Sequence, residues 1–134
     1  MQAILITAGK VKLRARLLQT PTAAVIRRIL PIFSTAETWG LSVHFETKAE
    51  TGRERGAEWN IEPSQIAYWS EDDRIIIGFG ATPISGAGEI RMPSPCNIFA
   101  VTDDDVRALK SVRPGSQISV TALVMPKAAA RSRK

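Results

Sequence analysis

The chain has 134 residues, 44% hydrophobic and 23% charged, with one cysteine and a formal net charge of +5. That length supports one domain around one core, and every long uncharged stretch is broken by Pro, Gly or Ser before the roughly 20 apolar residues of a membrane helix. Lys127, Arg131, Arg133 and Lys134 put four positive charges in the last eight residues, leaving 14 basic against 13 acidic residues elsewhere. This balance argues against nucleic acid as the partner.

In chain order, "MQAILITAGKVK" has no cation ahead of its short apolar run and reads as a first strand, not a signal peptide. "QAILIT" (2–7) and "VKLRARLL" (11–18) flank "AGK", a tight hairpin. In the second run Val11, Leu13, Ala15 and Leu17 share one face, and Lys12, Arg14 and Arg16 the other. "TPTAAVIRRILP" (20–31) changes period: Thr20 caps, Pro21 starts and Pro31 stops an amphipathic helix whose apolar face is Val25, Ile26, Ile29 and Leu30. "WGLSVHFET" (39–47) alternates again, with Leu41, Val43 and Phe45 inward and His44 outward. The charged stretch "KAETGRERGAE" (48–58) is expected to be a mobile loop.

"QIAYW" (65–69) and "RIIIGF" (74–79) make a second hairpin around "SEDD". "GATPISGAGEIRMPSPCN" (80–97) holds three Gly and three Pro and reads as a long, stiffened connection. "CNIFAV" (96–101) is a buried strand, and "DDDVRALK" (103–110) a short helix with carboxylates at its positive end. "RPG" (113–115) turns the chain into a last strand, "SQISVTALV" (116–124). Residues 1–125 are thus expected to form the domain, and 126–134 a basic, disordered, solvated tail. About eight short strands with two inserted helices predict a mainly β protein, a closed barrel capped by two short helices.

Several chemistries are excluded. The 80–97 connection lacks the Lys-Ser/Thr and following helix of a phosphate loop, and "GFGATP" misses the third glycine of a dinucleotide fingerprint. Ser85 lacks the preceding glycine of a nucleophile elbow. One His and one Cys give no zinc set, and "DDD" lacks the spaced ligands of a calcium loop, so neither metal nor cofactor is expected. Cys96 lies in an apolar strand and reads as a core residue; as the lone cysteine it forms no internal disulfide, which fits a reducing cytoplasm. Adjacent Tyr68 and Trp69 must point to opposite faces of their strand.

Four segments, "TAETWGLSVHFET" (35–47), "IEPSQIAYW" (61–69), "IIIGFGATPIS" (75–85) and "EIRMPSPCNIFAV" (89–101), together resemble a family of small prokaryotic proteins with a cyclophilin-like β-barrel. Its pattern is Thr-Trp-Gly before a strand, Gly-Asp then Tyr-Trp, Phe-Gly-x-Thr-Pro-x-Ser, and Pro-x-Ser-Pro-Val-Asn. Here the Gly-Asp pair is Ser64-Gln65, and Cys96 replaces the Val. The resemblance implies a closed barrel of about eight strands with two capping helices. It brings no reaction with it, because the family has no established activity.

The expected function is binding of a small polar or peptide-like ligand at a barrel-rim pocket. Its wall would be the 80–97 connection with Trp39, Tyr68 and Trp69; Arg91 would hold an anion, and Thr82, Ser94 and Asn97 would supply orienting hydrogen bonds. The alternative is a peptidyl-prolyl isomerase, for which Arg91 is the one candidate donor. The Phe-His-Arg segment of true cyclophilins is absent, and no catalytic residue is assigned. An apolar edge in "QAILIT" would favour a homodimer.

Overall fold

A computed structural model describes residues 2–123. Its strands are β1 (Ala3–Ala8), β2 (Val11–Leu17), β3 (Ile32–Thr38), β4 (Ser42–Glu46), β5 (Glu58–Asn60), β6 (Gln65–Trp69), β7 (Arg74–Gly78), β8 (Arg91–Thr102) and β9 (Gln117–Leu123). Helix α1 (Pro21–Ile29) follows β2, and a 3₁₀ helix (Val106–Ser111) precedes β9. The strands run in the order β2-β1-β9-β3-β4-β7-β6-β8, and pairing of β2 with β8 closes the ring. β5 attaches outside the ring, to the first half of β8. The expected tail, 126–134, lies outside the described residues.

Period-two alternation fills the ring. Ile4, Ile6, Leu13, Val43, Phe45, Ile66, Tyr68, Ile75, Ile77, Phe99, Ile118 and Val120 all point inward, and Ile26 of α1 joins them. Thr20 caps α1 by accepting from the Ala23 amide at 3.1 Å, and Pro21 takes the first turn. Thr22 and Ala23 extend the buried face beyond the expected Ile26, while Val25, Ile29 and Leu30 are only half-buried.

Several features differ from the sequence reading. Leu41 sits exposed at the β3–β4 hairpin tip, because β4 begins only at Ser42. The second helix is 3₁₀, capped by Asp105 accepting from the Arg107 amide. β1 is bonded on both sides, to β2 and β9, so "QAILIT" offers no open edge. β8 starts at Arg91 and runs through Pro93 and Pro95. Those prolines fall where the ladder to β5 slips between Glu58↔Cys96 and Asn60↔Arg91, and where pairing with β6 has not begun, so their missing N–H groups break no regular ladder. The 48–57 segment is not loose: buried side chains hold its backbone, as described below.

A second apolar cluster lies outside the barrel wall. Ile90, Met92 and Cys96 of the crossing, with Ile61, cover Ala67 and Ile76, the outward residues of β6 and β7. The approach is close: a Cβ on Gly78 would fall 2.4 Å from Ile90 Cγ2. The crossing is therefore seated on a filled interface.

Candidate functional site

At one end of the barrel β4 and β6 finish and β3 and β7 begin, and this rim gathers the buried polar side chains of Thr22, Thr47 and Asn97. Asp73, in the β6–β7 turn at φ +54°, presents Oδ1 to three donors: the Tyr68 hydroxyl at 2.6 Å, the Thr47 hydroxyl at 2.8 Å and the Glu50 amide at 3.1 Å. Aspartate tolerates that left-handed backbone better than most residues. Burial pushes the Asp73 carboxyl upward, but these hydrogen bonds outweigh it and hold the group below its ordinary value. Tyr68 shifts the other way: burial and the bond to Asp73 keep its phenol protonated.

Asn97 is the second anchor and is 1% exposed. Its amide nitrogen donates to Thr22 Oγ1 and to the Gly52 carbonyl, both at 2.9 Å, and its Oδ1 accepts from the Glu54 amide at 2.8 Å. The Thr22 amide and hydroxyl both donate to Glu54 Oε2, the amide at 2.9 Å, so that carboxylate meets one amide at the start of α1. The Asn97 amide thus has its oxygen and its nitrogen engaged, which fixes the 48–57 loop from within.

The outer flank of the same rim is open. Register places Glu37 of β3 opposite His44 of β4, and Glu46 of β4 opposite Arg74 of β7. Arg74 is opposite Trp69 of β6 in turn. Arg74 Nε donates to Asp72 Oδ2 at 2.8 Å, and its Nη1 lies 3.3 Å from His44 Nδ1. Because a guanidinium only donates, Nδ1 is the acceptor and the ring proton sits on Nε2. Burial and the neighbouring Arg74 charge lower the His44 pKa against the pull of Glu37 and Asp72, and Trp69 meets the ring edge-on at 6.1 Å. Beside this cluster is a cavity of about 480 Å³ between the end of α1, β3 and the β4–β7 wall. Ile29, Pro31 and Phe33 form its apolar side; Glu37, Glu46, Lys48 and Arg74 carry its charge.

The structure separates the seven residues expected to form one site. Tyr68 is fully buried inside the barrel and Trp69 lies on the outer face, on opposite sides of β6. Tyr68 and Asn97 are paired across β6 and β8 and brace the rim from within. Thr82 and Arg91 belong to the crossing: the Thr82 hydroxyl donates to the Arg91 carbonyl at 2.6 Å, and Ser85 Oγ accepts from both their amides. The Arg91 guanidinium lies 4.5 Å above the ring of Trp59. Ser94 donates to Glu71, which also pairs with Arg53. Trp39 is at the β3–β4 tip, where its carbonyl accepts from the Ser42 hydroxyl. Cys96 is buried and its thiol is pushed up to about 12 by burial, then by Glu71, so it is a core residue and not a nucleophile.

The sequence profile of the cyclophilin-like proteins matches residues 2–121. The chain belongs to the cyclophilin-like family. This cyclophilin-like protein is similar to the hypothetical protein AF2241 from Archaeoglobus fulgidus, known from a solution structure: 29% identity and a TM-score of 0.78, over 90% of this chain and 93% of that one. It also resembles McbB, solved in complex with tryptophan, at 12% identity and a TM-score of 0.67, over 92% of this chain and 46% of that one. That second likeness is one of fold. No curated protein matches the chain. Among the described residues, no helix of the cyclophilin-like chain is long and apolar enough to cross a membrane.

The flank residues were missed in the sequence because 32–38, "IFSTAET", was not read as a strand. Its alternation, with Ile32 and Ala36 buried and Phe33, Thr35 and Glu37 exposed, was the available signal.

Proposed function

We propose that this cyclophilin-like protein binds a small polar or peptide-like ligand at its rim, in the flank cavity between Phe33 and Arg74. One observation carries the reading. A cavity of about 480 Å³ joins an apolar wall to four charged side chains, within the size range of small-molecule sites and with the mixed lining they use. The crossing supports the fold here, because its underside is filled by Ile90, Met92 and Cys96. Of the residues expected from the sequence, Trp69 borders the cluster directly, and Tyr68 and Asn97 hold the rim in shape. McbB, a protein of the same fold, was solved with tryptophan, so an amino-acid-sized ligand is compatible with this architecture in one protein.

Arg74 is the anchor. It lines the cavity, and its planar donors are partly engaged by Asp72 and His44, which hold it in place. The test is a titration of isotope-labelled protein with a set of small carboxylates, amides and short peptides, followed by backbone amide shifts. Saturable shifts at Phe33, Glu46 and Arg74, lost in Arg74→Ala, are the expected result. Shifts confined to the 80–95 crossing, or none, would reject this site.

A further inference from the structure

The register of the flank narrows the ligand's chemistry. Glu46 and Arg74 face each other directly across β4 and β7, so their side chains leave the wall roughly 5 Å apart. Opposite charges so placed ordinarily pair. Here Arg74 turns instead to Asp72 and His44. Among the described residues Glu46 has no ion pair, and neither has Glu37 or Lys48. The cavity thus offers an exposed carboxylate with no ion pair and, one strand spacing away, a guanidinium held in place by Asp72 and His44. Phe33, 76% exposed, stands beside them with Ile29 and Pro31.

We propose that the cavity takes a free α-amino acid with a large apolar side chain. Its ammonium meets Glu46 and Glu37, its carboxylate meets Arg74, and its side chain covers Phe33. This rests on the binding reading above and specifies it. An α-amino acid bears both charges on substituents of one carbon, which suits two lining charges that face each other. A dipeptide carries them farther apart, and a ligand of single charge engages only one of the two. A guanidinium fits a carboxylate in the bidentate manner that gives such contacts direction. Covering Phe33 supplies the apolar part of the affinity.

Calorimetric titration of the full chain near neutral pH with L-phenylalanine, its amide and its N-acetyl derivative tests the assignment. L-Phenylalanine is expected to bind saturably, and each blocked derivative at least about tenfold more weakly. Glu46→Gln should weaken L-phenylalanine about tenfold while leaving the N-acetyl derivative, which has no ammonium, unchanged. Equal affinity for L-phenylalanine and its N-acetyl derivative would overturn the proposal, as would no binding of the free amino acid up to roughly 10 mM. If other small ligands still shift the Phe33 and Arg74 amides in that case, the ligand class fails and the binding site stands. If nothing shifts them, both fail.

Discussion

β7 passes through two different surroundings on its outer face. Gly78 and Ile76 lie beneath the crossing, where even a methyl group on Gly78 would collide with Ile90. Two residues earlier Arg74 opens on the flank cavity among other charges. One strand thus carries a sealed, apolar half and an open, charged half. The difference follows from side-chain type at alternate positions: small and aliphatic groups admit a covering segment, and a guanidinium keeps one away. Sealing belongs to stability, and opening leaves room for a ligand.

Mutations should separate the two halves. Met92→Ala is expected to cost the most, about 2–5 kcal/mol by denaturant unfolding, since Met92 is fully buried under the crossing. Gly78→Ala comes next, at about 1–3 kcal/mol, because its Cβ forces Ile90 to move; a neutral result would mean that the crossing is not seated as described.

Asp73→Ala should cost about 1–3 kcal/mol at neutral pH by leaving the buried Tyr68 hydroxyl without its acceptor. The folded protein holds Asp73 below its ordinary 3.8. Between the two values the unfolded chain binds the extra proton, so this contribution is full above about pH 4 and declines as pH falls through the folded value. The gap between wild type and Asp73→Ala should therefore narrow in acid, and a constant gap would contradict the Asp73 account. Phe33→Ser, on the open side, is expected to change stability by less than about 0.5 kcal/mol. It should nonetheless weaken ligand binding.

The covered half was more legible in the sequence than the open one. Alternation in "VKLRARLL" identified the inward residues of β2, the Thr20–Pro21 start of α1 was explicit, and Tyr68 and Trp69 do lie on opposite faces. The closed barrel followed from the family pattern and the strand count. The open half depends on lateral register, which sequence spacing does not state: Glu37 beside His44, and Glu46 beside Arg74, become neighbours only once three strands are aligned. The 48–57 loop was misread for a related reason. Its charge and glycines suggest mobility, yet Glu54 and Gly52 are held by Asn97 from a strand more than forty residues away.

A crystal of the protein soaked with a small-fragment mixture tests the central claim most directly. The account predicts ordered ligand density on the β3–β4–β7 flank, in contact with Arg74 and Phe33, and an undisturbed Ile90–Met92 interface. Ligand density beneath the crossing, with the flank empty, would contradict it.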